Sequence, residues 1–176
     1  SRRWRRVPAA HSAKAVIGVS GGLDSTLALL VAVEAMRDLG RPASDVHGIT
    51  MPCFGTSDRT YRNALELMRL LGVTVKEIDI RTAVTTHLRD IGHDLQVRDA
   101  TYENVQARER TQVLMDYAGQ IGALVVGTGD LSELALGWCT YNGDHMSIGP
   151  AVRALMEHTE HNQRHIFNLR DYYFSE

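Results

Sequence analysis

The chain has 176 residues, 44% apolar and 23% charged, with a formal net charge of -2. That length can bury one sizeable core, and the near-neutral balance argues against nucleic acid as the main partner. No apolar run is long enough to span a bilayer, so no membrane partner is expected. The one basic cluster, Arg2, Arg3, Arg5 and Arg6, sits in an N-terminal arm (residues 1–14) that reads as a solvated end. Beyond the arm, residues 15–20 form a β-branched run bounded by glycine, the pattern of a buried strand. Residues 24–39 read as a helix ended by Gly40 and Pro42, and residues 46–51 as a second strand stopped by Pro52. A helix is expected over 56–71, with Ala64, Met68 and Leu71 on one face and Gly72 at its end. A third strand follows over 73–80, then a short helix over 82–91 and a long one over 101–121, striped by Leu114, Ala118 and Ile121. Residues 123–126 make a fourth strand that runs into Gly127.

Strands alternating with helices predict an α/β fold: a Rossmann-like parallel sheet flanked by helices on both faces. Ligands in such sheets bind outside the carboxyl ends of the strands, where the glycine-rich breaks of this chain fall. The first break lies in the stretch VIGVSGGLDSTLALLV, residues 16–31. A strand, a double glycine and a helix start together make an anion site, because glycine lets backbone approach closely and the first helical N–H groups point outward. Ser20 and Ser25 add hydroxyl donors for phosphate oxygens. Asp24 would repel phosphate unless a cation lies between, and Mg²⁺ is the hard cation suited to that place. The alternative is a tight turn with Asp24 as a helix N-cap, which leaves the serines and the second glycine unexplained. A Walker-type loop is excluded, since no Gly-Lys-Ser/Thr triplet occurs. Gly127-Thr128-Gly129 begins a dinucleotide fingerprint but has Ser132 where its third glycine would stand.

The hexapeptide Ser20-Gly21-Gly22-Leu23-Asp24-Ser25 resembles the SGGxDS loop of the ATP pyrophosphatases, whose fold is the adenine nucleotide alpha hydrolase-like one. Three further stretches, GITMPCFGTSDRTYRNA (48–64), TYENVQARERTQVLMDYA (101–118) and VVGTGDLSELALGWCTYNGDHMS (125–147), resemble NAD synthetase in particular. The resemblance covers about residues 15–147, one ATP pyrophosphatase domain, and GTGDLSELALGW is closer to the longer, glutamine-dependent members. It implies ATP-dependent amidation of deamido-NAD to NAD through an acyl-adenylate, with ammonia as the amine and AMP and pyrophosphate as products. It implies that Gly18, Val19, Ser20, Gly21, Gly22, Leu23, Asp24, Ser25 and Thr128 bind ATP and its pyrophosphate. Asn104, Arg108, Glu133, Trp138 and Asp144 match positions around deamido-NAD, and Asp24 and Glu133 match ligands for Mg²⁺. A homodimer is implied as well. Taken alone, Arg108 and Glu133 read as solvated charges and Trp138 as a core residue.

Nothing in the chain resembles a glutaminase domain, which would lie elsewhere on a longer polypeptide. Residues 148–176 depart from the family pattern and read as a divergent helical tail. The histidines at 158, 161 and 165 lack the HExxH order, so a solvated helix is expected there instead of a metal site. Cys53 and Cys139 form neither a CxxC pair nor a disulfide framework, which suits a cytoplasmic, reducing setting. Two other readings stay open: another adenylating amidotransferase of the same superfamily, and a non-catalytic nucleotide-binding fragment.

Overall fold

The computed structural model describes residues 14–129. The first apolar run forms β1 (Ala15–Gly18), and the helix after the glycine break is α1 (Leu23–Asp38). Pro42, with its fixed φ, starts a single 3-10 turn (Ala43–Asp45) that delivers the chain into β2 (Val46–Thr50). Next come α2 (Asp58–Leu70), β3 (Thr74–Glu77), α3 (Arg81–Asp90), α4 (Ala100–Ile121) and β4 (Leu124–Val126). The order agrees with the sequence pattern. The third strand is shorter than its apolar run, because the ladder ends at Glu77. Past it, Ile78 and Ile80 donate single backbone bonds to Thr50 and Pro52.

The four strands pair in parallel in the order β3-β2-β1-β4. Ala15 to Ile17 lie opposite Val46 to Gly48 on one side and Leu124 to Val126 on the other. Strand side chains alternate between faces, and two cores result. Ala15, Ile17 and Val46 meet Leu29 and Met36 of α1 and Ala64 and Met68 of α2. Val16 and Ile49 meet Val84 and Leu88 of α3 and Tyr102, Val105 and Ala118 of α4. Helices therefore cover both faces of a parallel sheet, as the alternating pattern predicts.

Chain direction in α4 positions the rest. Its first turn brings Tyr102 against Phe54, just past β2, with ring centroids 5.9 Å apart. Its middle brings Leu114 against the end of β1, where a Cβ on Gly18 would meet it at 3.1 Å. Its last turns bring Tyr117 to His47 at the start of β2. The helix thus runs antiparallel to the strands, and its N-terminal turns stand at their carboxyl ends.

His47 is a buried polar residue of β2. Its Nδ1 and the Tyr117 hydroxyl share a hydrogen bond of 3.0 Å, and the Lys76 ammonium lies 4.2 Å over the Tyr117 ring. Burial, with the positive charges of Lys14 and Lys76, lowers the His47 pKa, against a smaller opposing pull from Asp45. The folded state therefore holds this ring neutral more firmly than the unfolded chain does. The advantage is complete above the unfolded pKa of 6.5 and is lost as pH falls from there through the folded value. Melting temperature should drop as pH falls below about 6.5. In His47→Gln, which keeps a polar partner for Tyr117, the drop should be smaller; an unchanged profile would assign it to other groups.

Candidate phosphate-binding site

The loop after β1 is shaped by two glycines with different tasks. Val19 still donates to the Ile49 carbonyl at 2.8 Å, so the sheet holds the loop to its last residue. Gly21 then takes φ +84°, the left-handed region. A Cβ there would also collide with the backbone carbonyl of Thr60 in the first turn of α2. Only glycine meets both demands. Gly22 is extended, with φ -83° and ψ 171°, and is the N-cap of α1. Its carbonyl accepts from Thr26 N–H at 3.1 Å, opening the helix.

The serines bind the loop to itself. Ser25 is buried and donates to the Gly22 carbonyl at 3.1 Å. The Ser20 and Ser25 hydroxyls are 3.1 Å apart, and Gly22 N–H donates to Ser20 Oγ at 3.3 Å. Ser20 is exposed and lies above the helix start, whereas Ser25 is a strut beneath it. No side chain caps α1, so its first N–H groups retain their donor capacity and the positive end of the helix dipole faces outward. Asp24 is the second helical residue, not the N-cap, which removes the turn-and-cap alternative. Its carboxylate is exposed in the first turn. Among the described residues no three His, Cys, Asp or Glu side chains are grouped to hold a metal.

Neighbouring loops wall this edge. After β2, Cys53 N–H donates to Thr56 Oγ1 at 3.0 Å and the Cys53 carbonyl accepts from Thr56 N–H at 3.1 Å, closing a tight turn. Burial pushes the Cys53 thiol pKa up, despite nearby Arg110 and Arg81. After β3, the Arg81 guanidinium and its backbone N–H both bond Asp79 and hold that carboxyl at about 2. Asp99 caps α4 by accepting from Tyr102 N–H at 2.9 Å, and His93 Nε2 donates to the same carboxylate at 3.0 Å.

The expected site residues divide into three groups. Gly18 to Ser25 form the loop described above. Thr128, half-buried, follows β4, whose pairing with β1 sets both breaks side by side. This is where the strand order turns back, the usual ligand crevice in such sheets. Asn104, half-buried, and Arg108, exposed, lie in the N-terminal turns of α4, at the same edge of the sheet. Glu133, Trp138 and Asp144 lie outside the described residues, as do Cys139, the histidine-rich tail and the basic arm. Ser57 and Thr60 were missed by sequence reasoning. Their signal was local, a Ser-x-x-Thr start to a helix, but its relation to Gly21 is a tertiary contact.

A family model described as NAD synthase matches residues 4–167. A glutamine-dependent NAD(+) synthetase from Mycobacterium leprae is 55% identical over 148 residues, 81% of this chain and 22% of that protein. An NH(3)-dependent NAD(+) synthetase from Pyrobaculum aerophilum is 39% identical over 138 residues, 78% of this chain and 50% of that protein. The solved structure of a glutamine-dependent NAD+ synthetase from Acinetobacter baumannii, in complex with ADP, superposes with a TM-score of 0.69 at 36% identity. It is matched over 77% of this chain and 25% of its own. The chain therefore spans between about a fifth and a half of the length of these relatives.

The two loop glycines should separate in a denaturation experiment. Gly21→Ala combines a left-handed backbone with a backbone clash and should cost about 2–4 kcal/mol. Gly22→Ala puts its Cβ at an ordinary 3.4 Å from Ser20 Oγ and should cost about 1 kcal/mol or less. Equal losses in urea titrations would contradict the contact with Thr60.

Proposed function

The chain belongs to the NAD synthase family, and from that premise we propose that it provides the ATP- and deamido-NAD-binding part of an enzyme that makes NAD. The observation that supports this most is the loop of residues 20–25, where uncapped helix N–H groups, the Ser20 hydroxyl and the exposed Asp24 carboxylate converge beside the break after β4. On this reading the loop cradles the β- and γ-phosphates of ATP, and Thr128 contacts the nucleotide from β4. The nicotinate carboxylate of deamido-NAD attacks the α-phosphorus, and the bond to the bridging oxygen breaks. Pyrophosphate leaves against donors already aimed at it. Ammonia then attacks the acyl carbon and AMP departs, giving the amide. The attacking carboxylate is already ionised, so no general base is needed for the first step. Mg²⁺ supplies charge neutralisation on the phosphates when bound, with Asp24 and Glu133 as its protein ligands.

Asn104 and Arg108 receive deamido-NAD from α4, together with Glu133, Trp138 and Asp144. Arg108 offers a cation to an anionic dinucleotide and Trp138 a ring to its pyridine. Residues 15–147 form the ATP pyrophosphatase unit of this reading. A cytoplasmic homo-oligomer that works with a glutaminase domain on a longer chain completes it.

Asp24→Asn removes the charge that draws the cation while leaving the loop hydrogen bonds in place. ATP affinity in Mg²⁺ should fall at least about tenfold with a nearly unchanged melting temperature. An unaltered calorimetric titration would remove Asp24 from the site.

We read ammonia as the nitrogen source of this chain, which has no recognisable glutaminase motif around Cys53 or Cys139. Cys53 is buried, with its pKa raised, in no state to serve as a glutaminase nucleophile. With ATP, Mg²⁺ and deamido-NAD, the purified chain should form NAD from ammonium salts, faster as pH rises and ammonium deprotonates, and should ignore glutamine. The products should be AMP and pyrophosphate. Turnover with glutamine equal to that with ammonium, or release of ADP and orthophosphate, would overturn the assignment.

A further inference from the structure

We propose that Ser57 and Thr60, at the start of α2, are positioning residues for the phosphate-binding loop and set its height without touching the ligand. The inference rests on the ATP reading above only for its consequence in binding; the mechanical part stands on the contacts. Gly21, the left-handed residue of the loop, rests directly on the Thr60 carbonyl with no room for a Cβ. Thr60 is fixed in turn by Ser57. Its N–H donates to Ser57 Oγ at 3.3 Å, its Oγ1 donates to the Ser57 carbonyl at 3.0 Å, and the two hydroxyls are 2.9 Å apart. Ser57 directly follows the turn closed by Cys53 and Thr56, which joins it to the end of β2. Behind Thr60, α2 is clamped to the same strand, because Met68 fills the place that a Cβ on Gly48 would take.

A rigid abutment thus runs from β2 through the Cys53 turn and the Ser57 cap to the Thr60 carbonyl, and the loop leans on it. Among the described residues the loop has little else on that side. Ser20, Gly22, Leu23 and Asp24 are exposed, and among the described residues its hydrogen bonds beyond Val19 stay within residues 20–26. If the first turn of α2 frays, Gly21 loses its stop and the outward-facing N–H groups lose their common direction. Preorganised donors are what such a loop must supply to a polyanion.

Amide hydrogen exchange and ligand titration on the whole chain decide the matter. Ser57→Ala should speed exchange of residues 20–25 about fivefold, the local equivalent of losing a helix cap. It should weaken binding of magnesium pyrophosphate and MgATP about three- to tenfold through the same loss. Ser57→Thr, which keeps the capping hydroxyl and adds no charge, should restore most of both. As a control, Asp99→Ala removes the cap of α4 and should leave exchange in residues 20–25 unchanged. Faster exchange confined to α2 in Ser57→Ala, or loop loosening with unchanged pyrophosphate affinity, would overturn the proposal. A wild-type chain that bound neither pyrophosphate nor ATP would instead overturn the functional reading, and the exchange comparison would still test the abutment.

Discussion

Everything at the carboxyl edge of the sheet depends on β1 pairing in parallel with β2 and β4 at once. That central place buries Ala15, Val16 and Ile17 on both faces, so the strand cannot slip without exposing one face or the other. A fixed register fixes where the chain leaves the sheet, and hence where Ser20 to Ser25 stand relative to Thr128. The polar loop itself contributes little to its own placement. Its position is inherited from about a dozen apolar side chains below it.

The edge is also organised by how its helices begin. The starts of α2 and α4 are capped by side chains, Ser57 and Asp99, whereas α1 starts on a bare glycine. Capping satisfies the first N–H groups internally and consumes their capacity to bind an anion. Two helices begin without a side-chain cap: α3, where Asp79 still accepts from Arg81 N–H, and α1, which follows the proposed phosphate loop. Asp24 in its first turn is favourable to the helix dipole in the absence of ligand, yet repels a phosphate in its presence. On the proposed reading, one carboxylate favours the free helix and makes phosphate binding conditional on a cation.

Much of this was legible in the sequence, for a physical reason. Strands and helices here are short apolar runs cut by glycine and proline, and the ligand loop is one contiguous hexapeptide, so both are local patterns. The stripes read on residues 64–71 and 114–121 face the two cores as expected. What was not legible is nonlocal. Thr60 is distant from Gly21 along the chain, and no periodicity announces that a carbonyl will press on a glycine. The alternative of Asp24 as the α1 cap stays open in the sequence, because a carboxylate near a helix start has the same signature at the cap as one residue or two inside; the structure puts Gly22 there. His47 is buried in the second strand with Tyr117, from the last turns of α4, as its hydrogen-bond partner, a pairing that no local pattern announces.

The antiparallel run of α4 links the two halves of the proposed reaction. Its N-terminal turns, with Asn104 and Arg108, stand at the carboxyl edge, while Leu114 further along it packs on the end of β1 below the phosphate loop. A single rigid helix therefore refers both the deamido-NAD side and the ATP side to one strand. An acyl-adenylate can form only where carboxylate and α-phosphate meet within a bond length or two, and loops placed independently would spread that distance. Joining both sides to β1 limits the spread to the stiffness of a packed helix, which is the condition for holding two reactants in a near-attack arrangement. The same geometry explains why the long helix needs its cap: fraying at Asp99 would begin one turn from Asn104, on the substrate side, and leave Leu114 and the strand it supports in place.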